Sequence, residues 1–220
     1  MFNLSSNTKS SIHIIHENQE WTKPLFEELR KLDTPFEDWN MSHSIIDVSA
    51  KAPKGIFYNR MSASSHTRGN RFAPESTIGL LAWLESKNSL IINGCNALNL
   101  EISKMVQYAC LNKVGLNVPS TIAVSKKEDI IDAYNKLNIR EIITKHNRAG
   151  KGLGVQLLKS KQAILQYING NQFDESVDGI TLIQQYIKPV DNTITRVEFI
   201  GAEFIYAVKV DTSHGFELCP

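Results

Sequence analysis

The pattern of apolar and polar positions over residues 1–97 predicts strands and helices in turn. Apolar runs predict strands at 12–15, 36–39, 44–48, 55–58 and 90–92. Apolar side chains that recur every three or four positions predict helices at 21–32 and 75–85. Strands that alternate with helices are typical of a small parallel sheet with helices packed on it.

The pattern changes after residue 97. A single helix ended by Gly115 is predicted over 98–114, and its inward side chains would be Ile102, Met105, Val106, Ala109 and Leu111. A second helix, over 126–137, is predicted by the capping box Ser125-Lys126-Lys127-Glu128. Strands are predicted at 121–124, 142–145, 155–158 and 179–187, a helix at 161–168, and an antiparallel hairpin at 193–200 and 203–210. The whole pattern predicts a mixed α/β (α+β) chain.

A glycine-rich loop between two predicted strands is the strongest candidate for chemistry. Gly150, Gly152 and Gly154 would let the backbone approach a polyphosphate closely, and Lys145 and Lys151 would neutralise its charge. The spacing differs from that of a P-loop and from that of a Rossmann dinucleotide turn. The loop alone fits a plain hairpin with a flexible glycine turn equally well.

Composition limits the partners and the compartment. The 220 residues include 24 basic and 23 acidic side chains, so no global field favours nucleic acid or an anionic membrane. The three cysteines are widely spaced and odd in number, which disfavours a disulfide framework or a zinc site. No signal-peptide core or membrane-spanning apolar window is present. We therefore expect a soluble cytoplasmic protein with no nucleic-acid or membrane partner, whose oligomeric state the sequence leaves open.

Four segments occur in a specific order: 59–69 (Asn-Arg-Met-Ser-Ala-Ser-Ser-His-Thr-Arg-Gly), 100–104 (Leu-Glu-Ile-Ser-Lys), 144–155 (Thr-Lys-His-Asn-Arg-Ala-Gly-Lys-Gly-Leu-Gly-Val) and 195–199 (Thr-Arg-Val-Glu-Phe). Together they resemble successive signatures of the RimK-like ligases of the ATP-grasp superfamily. The resemblance implies a Rossmann-like pre-ATP-grasp domain at 1–97 and an incomplete ATP-grasp fold with antiparallel sheets at 98–220. Within the second region, 119–187 would be the central and lid part, and 188–220 the start of a C-terminal part.

The resemblance also implies a site for ATP. Lys104 and Lys145 would contact its phosphates. The other nucleotide contacts would come from the lid loop, a linker strand and the hairpin: Gly150, Lys151, Gly152, Gly154, Gln185, Tyr186, Ile187 and Lys209. The alternatives are that Lys104 is a solvated helix lysine and that the linker residues form a core strand.

The implied reaction is ATP-dependent ligation of a carboxylate to an amine through an acylphosphate, with Mg²⁺ as cofactor. Arg196 would contact the transferred phosphate or the carboxylate, and the loop residues Arg60, His66 and Arg68 would bind the carboxylate or acylphosphate. The alternatives are an ordinary exposed hairpin and a solvated surface loop. Glutamate is the amino acid most associated with the family, but the sequence identifies neither the carboxylate nor the amine acceptor.

One feature departs from the family pattern. The resemblance implies magnesium ligands on late strands beyond the hairpin, and this sequence ends at Pro220 without an equivalent, so the metal ligands stay unassigned. We therefore expect a truncated ligase. A non-catalytic module that binds ATP or a partner remains the alternative.

Overall fold

The computed structural model describes residues 11–150, 152–213, 215 and 216. It divides into two units, one up to Gln107 and one from Tyr108 onwards. The domain limits expected from the sequence, 1–97 and 98–220, stay a prediction. Lys151, a predicted lid residue, lies outside the described residues.

A four-stranded parallel sheet forms the centre of the first unit, with strand order β2-β1-β3-β4. Its strands are β1 Ser11–His16, β2 Phe36–Asn40, β3 Gly55–Asn59 and β4 Leu90–Ile92. Its helices are α1 Gln19–Lys31, α2 Ala73–Ser86 and α3 Cys95–Ile102. Its larger core packs the apolar faces of β1, β3 and α2 together. The predicted parallel sheet with packed helices is confirmed.

The strand predicted at 44–48 is wrong. This segment follows a 3₁₀ turn, Met41–His43, and adopts no regular structure. Ile45 and Val48 are exposed, so the apolar run that predicted a strand belongs to a surface loop.

The single helix predicted over 98–114 is instead two helices, because Ser103 interrupts it. Ser103 is extended and follows α3, and α4 then runs over Lys104–Lys113. The Ser103 hydroxyl accepts a hydrogen bond from the Val106 N–H at 3.3 Å, which makes it an N-cap. Ile102 packs against the core as predicted. The other side chains predicted to face inward are exposed: Met105, Val106, Ala109 and Leu111.

Gly115 ends α4 as predicted. Its φ of 79° is left-handed, and the N–H groups of Gly115 and Leu116 donate to Asn112 and Leu111, each at 3.0 Å. This pair of bonds is the Schellman arrangement, in which a glycine lets the last carbonyls of a helix find donors.

The second unit contains a four-stranded antiparallel sheet with strand order β5-β8-β6-β7. Its strands are β5 Thr121–Val124, β6 Ile142–His146, β7 Gln156–Leu158 and β8 Thr181–Gln185. Two helices, α5 Ile130–Leu137 and α6 Lys161–Asn169, cover one face of this sheet with apolar side chains. Because side chains alternate along a strand, every second residue of β6 and β8 lies on the opposite face.

The helix predicted over 126–137 begins later than expected. A 3₁₀ turn, Lys127–Asp129, precedes α5, and the residue before the turn is Lys126, with no side-chain cap bond. The predicted capping box is therefore not formed.

The predicted hairpin is confirmed as β9 Thr193–Ile200 and β10 Glu203–Asp211, a two-stranded antiparallel sheet. The parallel sheet, the antiparallel sheet and this hairpin confirm the predicted mixed α/β class. Among the described residues, none of the helices has both the length and the apolar character needed to span a lipid bilayer. The cytoplasmic location stays a prediction.

Candidate functional site

Lys145 lies on the face of the antiparallel sheet that α5 and α6 leave uncovered. Its neighbour Thr144 is buried on the helix side, and Lys145 itself is half-buried. The Lys145 ammonium donates a hydrogen bond to the Tyr108 hydroxyl and lies 5.2 Å from the centre of the Tyr108 ring. Gln184 on β8 also donates to the Tyr108 hydroxyl, at 3.0 Å. A cation is therefore held at the end of the strand that leads into the glycine loop.

The glycine loop between β6 and β7 folds through two tight turns. The N–H of Leu153 donates to Gly150 and that of Val155 donates to Gly152, each at 3.2 Å. Gly152 and Gly154 have φ values of 81° and 70°, the left-handed region that favours glycine. The two turns therefore depend on glycine at both of these positions.

Gly154 also lies directly against the imidazole of His146. A Cβ atom added to Gly154 would lie 2.4 Å from His146 Nε2, closer than van der Waals contact allows. His146 Nε2 donates to the Asp174 carbonyl at 2.9 Å, so the ring has little freedom to move away.

Gly154→Ala is expected to destabilise the second unit by about 1–3 kcal/mol, because it combines this clash with a strained φ. Gly150→Ala is the matched control, since a Cβ there meets nothing within 4 Å and the φ of Gly150 is not left-handed. Hydrogen exchange of the β6 and β7 amides should be faster in Gly154→Ala and unchanged in Gly150→Ala. Equal protection in both would contradict the close approach.

One backbone donor of the predicted linker has no hydrogen-bond acceptor in the part of the chain that the structure describes. The N–H of Gln185 donates to Ser120 at 2.9 Å, and the N–H of Tyr186 donates to Glu141 at 3.2 Å. Ile187 follows the end of β8, and its N–H makes no hydrogen bond to any residue that the structure describes. Among the described residues, the linker thus ends with a backbone donor that has no acceptor.

The two cations predicted on the hairpin lie on opposite faces of it. Arg196 pairs across the ladder with Val208, and Lys209 pairs with Thr195, so they have opposite orientations. Arg196 Nε lies 3.1 Å from Glu198, and Lys209 lies 2.5 Å from Asp191. The hydrogen bond from Lys209 lowers the pKa of Asp191 to about 2. The register therefore prevents both cations from facing one ligand through the same face.

The loop that carries Arg60, His66 and Arg68 lies at the carboxyl end of the parallel sheet. It follows β3, and β1 lies between β2 and β3, so the chain reverses its direction of strand addition there. Crevices at such switch points are the usual ligand sites of open α/β sheets.

A buried ion pair connects this loop to the end of β1. Glu17 has a side chain only 1% exposed, and its carboxylate accepts from Arg68 Nη2 and from Arg68 Nε at 3.1 Å. Asn70 adds a bond of 3.3 Å to the same carboxylate, and the Arg68 guanidinium lies 5.3 Å from the centre of the Trp21 ring. Arg68 therefore already has a carboxylate partner within the protein.

The remaining predicted residues occupy separate positions in the first unit. Arg60 Nη1 donates to the Trp21 carbonyl at 3.3 Å, and His66 Nδ1 donates to the Ala63 carbonyl at 3.1 Å. Lys104 begins α4 and is half-buried. Within the described residues, no group of three or more His, Cys, Asp or Glu side chains is placed to hold a metal ion.

Three residues that contact predicted site residues directly or through Tyr108 were not themselves predicted from the sequence. Tyr108 and Gln184 belong to the hydrogen bonds around Lys145, and Glu17 pairs with Arg68. Glu17 directly follows the first parallel strand, a position from which side chains reach the switch-point crevice, so its place in the chain was a usable signal. Tyr108 carried no such signal, because the apolar pattern around it indicated a buried helix face.

A family model described as the RimK-like ATP-grasp domain matches residues 102–216, more than half of the chain. This chain belongs to the RimK-like ATP-grasp family. The resemblance inferred from the four sequence segments is therefore confirmed.

The RimK-like match is accompanied by two curated relatives, both probable alpha-L-glutamate ligases, and by several solved structures. A probable alpha-L-glutamate ligase of Desulfotalea psychrophila is 26% identical over 74% of this chain, which spans 34% of that protein. A RimK domain ATP-grasp protein of Sphaerobacter thermophilus has a TM-score of 0.66 at 14% identity, over 96% of this chain and 76% of that one. The ATP-grasp ligase PsnB, solved with minimal precursor, Mg and ADP, has a TM-score of 0.58 at 15% identity, over 98% and 75%. These structural matches confirm the ATP-grasp fold.

Proposed function

We propose that this RimK-like chain carries the ATP site of a carboxylate–amine ligase. The observation that carries the proposal is the Lys145 ammonium, held on the sheet face opposite α5 and α6, at the entrance to a glycine loop. A cation and peptide N–H groups at close range are what a polyphosphate requires.

The adenine ring would bind at the linker from Gln185 to Ile187. Adenine presents an acceptor, N1, beside a donor, its 6-amino group. The available N–H of Ile187 supports donation to N1. Guanine presents an N–H at the equivalent position, so the same backbone donor would reject it.

The phosphates would be bound by Lys145, with Lys104 as a second cation and the glycine loop as a lid. Gly150, Gly152 and Gly154 keep side chains out of the space that the loop must cover. Lys151 as a further lid cation stays a prediction, because it lies outside the described residues.

The reaction would proceed in two steps. A carboxylate oxygen attacks the γ-phosphorus of ATP, which breaks the bond to the bridging oxygen and gives an acylphosphate and ADP. An amine nitrogen then attacks the acyl carbon, a C–N bond forms, and phosphate and a proton leave. The contribution of the protein is to position the reactants and to stabilise the phosphoryl charge.

The loop after β3 and the hairpin each supply candidate cations for the carboxylate and the acylphosphate. Arg60 and His66 are proposed to contact the carboxylate, while Arg68, bound to Glu17, orders the loop that carries them. Arg196 is proposed to contact the phosphoryl group, and Lys209 would act only through the opposite hairpin face. Glutamate is the proposed amino-acid substrate, in keeping with the name of the curated relative.

Magnesium supplies charge neutralisation to phosphoryl transfers of this kind. The described residues do not include a cluster of three or more His, Cys, Asp or Glu side chains that could form a dedicated metal site. We therefore assign no magnesium ligand and no step to the metal.

The proposal is tested by melting the chain with magnesium-ATP and with magnesium-GTP. ATP at about a hundred times its dissociation constant should add roughly 2.7 kcal/mol of stability, which raises the melting temperature by roughly 5 °C or more. GTP should have no such effect, and an equal shift with GTP would contradict the linker assignment. ADP release on addition of glutamate and amines would identify a ligase, whereas ATP binding without ADP release would favour the non-catalytic module.

A further inference from the structure

The hydrogen bonds around Lys145 form a chain whose direction can be worked out from one end. The Thr121 hydroxyl donates to the Pro119 carbonyl at 2.8 Å, and a carbonyl can only accept. Thr121 has a single hydroxyl hydrogen, so its oxygen must accept the second bond that it makes, from Gln184 Nε2 at 2.8 Å. This contact fixes the orientation of the Gln184 amide.

The second hydrogen of Gln184 Nε2 is donated to the Tyr108 hydroxyl oxygen, 3.0 Å away. Lys145 also donates to this oxygen, and an ammonium has no acceptor to offer in return. Both lone pairs of the Tyr108 oxygen are therefore occupied. Its own O–H hydrogen has no acceptor among the residues that the structure describes.

Tyr108 and Lys145 thus present unused hydrogens from adjacent atoms. Lys145 gives one of its three ammonium hydrogens to Tyr108 and makes no other hydrogen bond within the described chain. Both side chains are half-buried rather than enclosed, so a ligand can reach them from solvent. A neutral donor beside a cationic donor suits one anionic oxygen or two oxygens of the same phosphate.

We propose that the Tyr108 hydroxyl is a ligand-binding group, which donates a hydrogen bond to an oxygen of the phosphate that Lys145 binds. This inference rests on the proposed ATP site and adds a residue to it. Gln184 and Thr121 act through Tyr108, because with Lys145 they occupy its oxygen as an acceptor and leave its O–H without an acceptor among the described residues.

The test is Tyr108→Phe in the full chain, with inorganic tripolyphosphate and ATP as separate probes in calorimetry. Phenylalanine keeps an aromatic ring beside the Lys145 ammonium and removes only the hydroxyl. A hydrogen bond to a charged oxygen corresponds to at least about a tenfold loss of affinity, expected for both probes. Tyr134→Phe is the matched control, since Tyr134 lies on α5 against the core of the same unit and should leave both affinities unchanged.

A second variant separates donation to the ligand from support of Lys145. Fluorotyrosine at position 108 makes the hydroxyl a stronger donor and a weaker acceptor, provided that the pH keeps it protonated. Donation to phosphate predicts binding at least as tight as that of the unmodified chain. A role limited to accepting from Lys145 predicts weaker binding, and that result would overturn the proposal.

The two probes distinguish this inference from the proposed function. If tripolyphosphate binds, ATP does not, and Tyr108→Phe weakens tripolyphosphate, the anion site stands and the ATP proposal fails. If both probes bind with unchanged affinity to Tyr108→Phe, the ATP proposal stands and the Tyr108 inference fails. If neither probe binds the unmodified chain, both are overturned.

Discussion

Lys145→Ala is expected to weaken ATP binding by at least about a hundredfold. The variant removes the ammonium that donates to the Tyr108 hydroxyl, together with two ammonium hydrogens that remain available to phosphate. Hydrogen bonds to charged groups contribute about 1.5–3 kcal/mol each, so two of them account for this factor. Calorimetric titration with magnesium-ATP measures the change directly.

The control for the Lys145 experiment is Lys159→Ala, which removes an exposed lysine from the end of β7 in the same unit. It should bind ATP as the unmodified chain does. Melting without ligand should show that both variants stay folded, since Lys145 makes one hydrogen bond to the described residues and the apolar core of the second unit is untouched. Retained ATP affinity in folded Lys145→Ala would disprove the proposed site.

Arg68→Met is expected to destabilise the first unit by about 3 kcal/mol. The variant leaves the Glu17 carboxylate, 1% exposed, without its cation, and among the described residues it keeps only the 3.3 Å bond from Asn70. An uncompensated buried charge costs several kcal/mol, whereas methionine retains most of the packing beside Trp21. All three tryptophans of the chain, Trp21, Trp39 and Trp83, lie in the first unit, so urea unfolding followed by their fluorescence reports on this unit.

Two further variants make the Arg68 result specific. Lys31→Met breaks the exposed pair with Glu28, whose side chains are 69% and 61% exposed, and should change stability by less than about 0.5 kcal/mol. Combining Arg68→Met with Glu17→Gln should recover part of the loss, because the second change removes the unpaired charge. A loss that is the same for Lys31→Met, or no recovery in the double variant, would contradict the role of the buried pair.

Local patterns predicted most of the elements correctly because the same residues decide local structure and burial. The hairpin of β9 and β10 and the end of α4 at Gly115 follow from alternation and from a glycine conformation, which neighbouring residues determine. The errors lie where one side chain is compatible with two different local structures. Ser103 counted as one residue of a helical pattern, but its hydroxyl caps a new helix, and Ser125 had the spacing of a cap without forming one.

The predicted site also combines residues that the sequence pattern indicated with residues that it missed. Lys145, the glycine loop and the linker were found because their spacing along the chain is itself informative, and the family match confirms the resemblance on which they rest. Their individual contacts with ATP stay predictions. Tyr108 and Glu17 were missed because their partners are distant in sequence. Folding within the second unit brings Lys145 to Tyr108, and folding within the first unit brings Arg68 to Glu17.

The sequence by itself indicated the family, most of the strands and helices in their order, and the candidate residues for binding a polyphosphate. Only the tertiary structure decided which of these residues act together. The register of β9 and β10 places Arg196 and Lys209 on opposite faces, and the buried Glu17 carboxylate takes the Arg68 guanidinium. Strand register and burial depend on contacts between distant residues, and spacing along the chain does not encode them.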